Sequence, residues 1–189
     1  MTWVPGPYEV LIVQGDRETL HPDIPGLPNQ RILKSYGDSL ERAVLLGLSS
    51  AKGDRIVVLD ADGSHPVHTV PKMFQGLLKY DMVVGSRYLP DSEFEYSTFR
   101  TFVSWCFKTY AHVLGSRLSD PMSGFFGVRK EIIEKIRFRP IPWKTALEIE
   151  LKASPEVMEL PIKFTKRQEG MSKATAKTGL SIIWGLVTR

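Results

Sequence analysis

Short apolar, β-branched runs alternate with stretches of helical periodicity along the chain. This is the pattern of βαβ units with a mostly parallel sheet flanked by helices. Strands are predicted at Glu9–Val13, Arg31–Leu33, Ile56–Leu59, Met82–Gly85, Phe125–Val128 and Ile162–Thr165. Between them, Ser39–Ala51 carries Leu40, Ala43, Val44, Leu48 and Ala51 on one helical face. A second helix is predicted at Met73–Lys79, with Pro71 near its first turn. The third, Phe99–Leu114, spaces Phe99, Phe102, Val103, Cys106, Tyr110 and Val113 as one stripe, and shorter helices fit Lys130–Ile136 and Thr145–Lys152. Pro22, Pro25 and Pro28 make His21–Asn29 an irregular loop. There is no internal repeat or low-complexity tract.

A length of 189 residues accommodates one α/β domain with its own core, and 42% hydrophobic against 24% charged residues excludes a disordered chain. We divide it into a domain over residues 1–175 and an apolar tail over 176–189. The net charge of +4 suits phosphate-bearing substrates, an anionic membrane surface or nucleic acid, and chooses among none of them. The basic residues are dispersed and match no recognition motif, so no nucleic-acid partner is expected. The single cysteine, Cys106, excludes an internal disulfide and fits a reducing compartment. Among Phe102, Trp105 and Tyr110 its expected role is packing. Met1–Pro7 lacks the features of a secretory leader, and no apolar run reaches the ~18 residues of a membrane span. The patch Leu180–Val187 is too short to span a bilayer and suits a docking helix or the stump of something longer.

Chemistry concentrates where predicted strands end. Arg55–Leu59 runs into Asp60-Ala61-Asp62-Gly63-Ser64-His65-Pro66, two carboxylates one residue apart. In open α/β sheets ligands bind beyond the carboxyl ends of strands. There the pair could share a hard divalent cation whose other ligands are water or phosphate oxygens. Asp60 and Asp62 are equally readable as turn formers and helix caps. The next strand ends in Ser86-Arg87-Tyr88, followed downstream by Asp120-Pro-Met-Ser123-Gly124-Phe125. The stretch Lys166-Arg167-Gln-Glu-Gly170-Met-Ser172-Lys173 is a basic, glycine-containing loop suited to phosphate oxygens.

In this order, VVLDADGSHP, VVGSRY, DPMSGFFGVR and the R-x-x-G-x-S-K of Arg167–Lys173 resemble the family-2 glycosyltransferases of the GT-A fold. Within them the likeness is to the dolichyl-phosphate and polyprenyl-phosphate mannose synthases. It covers roughly Tyr8 to Lys173, and Pro142, Lys144 and Glu148 match a further family segment more loosely.

The resemblance implies a single Rossmann-like GT-A domain that transfers mannose from GDP-mannose, with inversion, to a polyprenyl or dolichyl phosphate. It implies Mn²⁺ or Mg²⁺ on Asp60, Asp62 and Ser64. It implies donor or acceptor phosphates against Arg87, Arg100, Arg167 and Lys173, with Ser123 flanking the sugar. The Phe99–Leu114 helix resembles an element that meets membrane and lipid, and its stripe fits core packing equally. The expected location is cytoplasmic, peripheral on the cytosolic membrane face where the membrane reading holds. Where the family has a first strand–helix unit and then D-D-G-S, this sequence has Gln14-Gly15-Asp16-Arg17. Asp16, with Asp60, is therefore the nucleotide-binding candidate.

An acceptor phosphate arrives ionised and needs no general base. Asp62, Arg87 and Asp120 are the catalytic candidates. A hydroxyl acceptor, on a saccharide or modified nucleobase, would require a base, Asp120 first and Glu148 second. A catalytically silent truncated homologue is the remaining alternative.

Overall fold

A computed structural model describes residues 6–15, 28–37, 39–94, 98–138 and 145–164. The side chains of 93–103 and of 164 lie outside the description. Elements follow in the order β1 (Val10–Gln14), β2 (Gln30–Lys34), α1 (Leu40–Ser50), β3 (Arg55–Val58), α2 (Val70–Gly76), β4 (Met82–Ser86) and β5 (Glu93–Phe94). The chain continues with α3 (Thr98–Val113), β6 (Phe126–Arg129), α4 (Lys130–Glu134), α5 (Thr145–Ala153), β7 (Val157–Pro161) and β8 (Lys163–Phe164). A single 3₁₀ turn, Val67–Thr69, leads into α2.

The main sheet has the order β3-β6-β4-β7. β4 and β7 are parallel, whereas β6 runs antiparallel to both β3 and β4. The predicted mostly parallel sheet is thus mixed at its centre. Hydrophobic periodicity carries no strand direction, so the sequence could not reveal the reversal. β1 and β2 pair in parallel in a separate ladder, and so do β5 and β8.

β4 explains why this sheet is covered on both faces. All five of its residues are buried, and the run reads as continuously apolar rather than alternating. Met82 and Val84 pack into one core with Leu48, Leu118, Phe126, Val128, Ile132, Ile133 and Ile149. Val83 points the other way, to Met73, Leu77, Phe125 and Ile162. Helices α1, α4 and α5 therefore cover one face and α2 the other. Gly85 is required in this strand: a Cβ there would lie 2.8 Å from Phe125 Cδ1 and 3.3 Å from the Phe125 carbonyl oxygen.

Helix α1 starts where Ser39, in extended backbone, accepts the Arg42 N–H and leaves Glu41 in the first turn. Helix α3 packs on α5 through Phe107, Tyr110, Ala111 and Leu114 against Leu147 and Leu151. That buried stripe is rotated from the predicted one. Cys106 is exposed, not packed, and Trp105 and Val113 are 60% and 78% exposed.

β7 was not foreseen, and the predicted strand Ile162–Thr165 shortens to β8, with Thr165 outside the described residues. Among the described residues β7 pairs with β4 alone; it carries Glu159 at its centre and Pro161 at its end, so its edge position hides it from an apolar pattern.

Candidate active site

Because β6 is reversed, its amino end lies beside the carboxyl ends of β3 and β4. Val58, Phe126 and Val84 form one row across the three strands. The three motif segments Asp60–His65, Ser86–Tyr88 and Asp120–Gly124 therefore leave the sheet at one edge. The groove formed by Asp54, Arg55, Leu77, Arg129 and Glu134 is at the opposite edge, away from these three segments.

The Asp60–His65 loop is tied by its own side chains. Asp62 Oδ1 accepts both the Ser64 N–H at 3.0 Å and the Ser64 hydroxyl at 2.5 Å, an Asx-type turn. Gly63, at φ +76°, supplies the left-handed residue this turn needs. The Asp60 N–H donates to His65 Nδ1 at 2.9 Å. Ser64 and His65 are buried, while the Asp60 side chain is 34% exposed at the crevice edge.

Among the described residues no three His, Cys, Asp or Glu side chains converge as a metal site. The protein's contribution here is two carboxylates, with oxygen donors only. That set fits Mg²⁺ or Mn²⁺ held by one or two carboxylates, with water and substrate phosphate completing the shell.

Asp120 is fully buried and forms a two-point fork with Arg87. Arg87 Nε–H donates to Oδ2 at 2.7 Å and Nη2 to Oδ1 at 2.8 Å, and the Arg87 backbone N–H adds a contact to Oδ2 at 3.2 Å. This geometry fixes the guanidinium plane and spends the carboxylate on it. The candidate base Asp120 is thus the partner that orients Arg87. The second candidate, Glu148, is buried on α5, where Lys152 Nζ donates to it at 2.5 Å and also to the Arg137 carbonyl.

Further carboxylates pin the loop that carries Asp120. Glu150 accepts from the Ser116 hydroxyl and the Arg117 N–H at 2.5 and 2.6 Å. Glu159 accepts from the Ser119 N–H and hydroxyl, and the Ser119 oxygen lies 2.5 Å from Ser86 Oγ. With Ser119 donating to Glu159, the Ser86 hydroxyl donates to Ser119 and itself accepts the Tyr88 N–H. Ser123, expected to flank the sugar, donates its hydroxyl to the Gly85 carbonyl at 2.6 Å and accepts the Phe125 N–H. The Tyr88 ring receives Lys108 Nζ of α3 at 4.6 Å and the Arg87 guanidinium carbon at 5.7 Å.

Arg100 is on α3, with its side chain outside the description, and Asp16, Pro142, Lys144, Arg167 and Lys173 lie outside the described residues. Sequence reasoning gave no role to His65, Ser119, Glu150 or Glu159. A glutamate inside an apolar segment was the available signal for Glu159.

The site and the mixed sheet define an α/β protein of the GT-A glycosyltransferase type. The profile of Glycosyl transferase family 2 matches residues 28–137, and the chain belongs to that family. It is similar to the dolichol-phosphate mannosyltransferase of Pyrococcus furiosus, 31% identical over 90% of this chain and 52% of the relative. The corresponding Saccharomyces cerevisiae protein is 37% identical over 77% of this chain and 58% of its own length. The undecaprenyl-phosphate mannosyltransferase of Micrococcus luteus is 28% identical, with 72% and 61% covered. The chain therefore spans about half to three-fifths of the length of these relatives. Glucosyl-3-phosphoglycerate synthase from Mycobacterium tuberculosis, solved with Mn²⁺, UDP-glucose and glycerol 3-phosphate, shares the fold. Its TM-score is 0.59 at 16% identity, over 84% of this chain and 60% of that one.

Proposed function

We propose that this protein transfers mannose, with inversion, from GDP-mannose to a polyprenyl or dolichyl phosphate. The observation that carries the reading is the Arg87–Asp120 fork at the same sheet edge as the Asp60–Asp62 loop: a fixed cation beside a pair of carboxylates suited to a metal. The curated relatives named as lipid-phosphate mannosyltransferases support the sugar and the acceptor.

Asp60 and Asp62 would hold a divalent cation, and the chemistry such a cation would supply is compensation of charge on the departing diphosphate. Ser64 acts by holding Asp62 in place. Arg87 presents its guanidinium to phosphate oxygens from a position that Asp120 fixes before substrate arrives, and such preorganisation is the main source of charge stabilisation in catalysis. Arg100, Arg167 and Lys173 supply further phosphate contacts, and Asp16 stands at the nucleotide.

The acceptor's phosphate oxygen attacks the anomeric carbon as the sugar–diphosphate bond breaks, and no protein base takes a proton. The commitment of Asp120 to Arg87 and of Glu148 to Lys152 supports a base-free route. No helix among the described residues is long and apolar enough to cross a membrane. Lipid would be met at the cytosolic membrane surface, where α3 exposes Trp105 and Val113.

The donor is tested by incubating the full chain and Mn²⁺ with radiolabelled GDP-mannose, UDP-glucose and other nucleotide sugars, with a short polyprenyl phosphate as acceptor. Label in the lipid phase from GDP-mannose alone is the expected result. Efficient transfer from another donor would overturn the assignment of sugar and nucleoside.

A further inference from the structure

We propose that His65 is a positioning residue of the cation site: through Nδ1 it fixes the main chain of Asp60, and so the direction in which the Asp60 carboxylate meets the metal. The inference rests on Asp60 and Asp62 being the cation's ligands.

Three contacts converge on this ring. The Asp60 N–H donates to Nδ1 at 2.9 Å, which places the proton of the neutral imidazole on Nε2. Nε2 lies 4.0 Å from Asp60 Oδ2, on the carboxylate side of the same residue. The ring stacks on Phe125 with centroids 5.1 Å apart and planes inclined by 14°. His65 thus touches both ends of Asp60 while its own side chain is only 3% exposed.

The support continues downward. Phe125 is fully buried, and it can lie against β4 only because residue 85 is glycine. Gly124 passes beside the same pair: a Cβ there would stand at ordinary van der Waals distance, 3.7 Å from His65 Cε1 and 3.8 Å from Asp60 Oδ2. A chain of packed groups therefore runs from Gly85 through Phe125 and His65 to Asp60. A ring that served packing alone would need no acceptor nitrogen at the Asp60 amide. Groups that orient a metal's ligands in this way set its affinity.

The test is Mn²⁺ binding to the full chain, followed by electron paramagnetic resonance of free Mn²⁺ in the presence of GDP or UDP, with melting temperature measured in parallel. His65→Phe keeps the stack but loses the acceptor. It should weaken Mn²⁺ binding by about 10- to 100-fold. His65→Asn puts Oδ1 where Nδ1 stands and should stay near the wild-type affinity, whereas His65→Gln, whose amide sits at the Nε2 position, should lose it. If His65→Phe does not fold, the Asn and Gln variants carry the same comparison. Wild-type Mn²⁺ affinity in a folded His65→Phe or His65→Gln protein, or an Asn variant as weak as Gln, would overturn the role of His65 alone. A wild-type chain that holds no Mn²⁺ would overturn the cation site as well.

Discussion

Arg87 and Asp120, 33 residues apart in sequence, meet in a bidentate ion pair whose carboxylate is fully buried and whose arginine side chain is 12% exposed. Breaking such a pair from one side leaves a buried charge, at a cost of about 3–5 kcal/mol. Asp120→Ala should therefore lower the melting temperature and slow turnover together.

Asp120→Asn separates orientation from proton transfer. If Asp120 only orients Arg87, the variant loses rate while its pH–rate profile keeps the wild-type shape, falling as pH drops through the acceptor phosphate's second pKa, about 6. Below that pH the phosphate holds its second proton and is the poorer nucleophile, so activity rises with pH and then levels. A general base would instead contribute roughly 10²- to 10⁴-fold, and its loss would alter the profile itself. Initial rates across pH for both proteins distinguish the two.

The Asp62 carboxylate is the second point of attack. Asp62→Ala removes a cation ligand and the acceptor of two Ser64 hydrogen bonds. Turnover should fall by about 10²-fold or more. Calorimetry with GDP should show wild-type binding that requires Mn²⁺ and is abolished by EDTA, and binding that survives EDTA would contradict the metal's role.

On α3 the structure divides two kinds of aromatic position. Phe107 packs toward α5, so Phe107→Ser should destabilise the protein by about 2–4 kcal/mol, read as a fall in melting temperature. Trp105 and Val113 face outward. The pair Trp105→Ser and Val113→Ser should leave the melting temperature unchanged and reduce sedimentation with anionic liposomes. Unaltered sedimentation would remove this face from the proposed membrane contact.

Gly85→Ala drives a methyl group into the Phe125 ring. Overpacking of this kind costs about 1–3 kcal/mol, measurable as a shift in the denaturation midpoint.

The elements were legible where periodicity is strong. The β4 run and the α1 face both stand within a residue or two of their predicted limits. Strand direction was not legible, because the reversed β6 has the same apolar pattern as a parallel strand. The acidic candidates were visible as residue types, but their partners were not: Asp120 and Glu148 stood as bases for a hydroxyl acceptor, and their pairing with Arg87 and Lys152 is seen only in the fold. His65 stood in plain view within the D-A-D-G-S-H stretch, and only the backbone turn that brings Nδ1 to the Asp60 amide gives it a purpose. Cys106 and Val113 were misplaced because a helix of mixed polarity admits two adjacent stripes, and contact with α5 selects the one through Phe107 and Ala111.

The most direct test of the account is transfer of radiolabelled mannose from GDP-mannose by the full chain, with matched acceptors: a short polyprenyl phosphate and the same polyprenol without phosphate. The account predicts Mn²⁺-dependent product with the phosphate and none with the alcohol, because the two candidate bases, Asp120 and Glu148, are committed to Arg87 and Lys152. Equal transfer to the alcohol, or no transfer to the phosphate by folded protein in Mn²⁺, would contradict it.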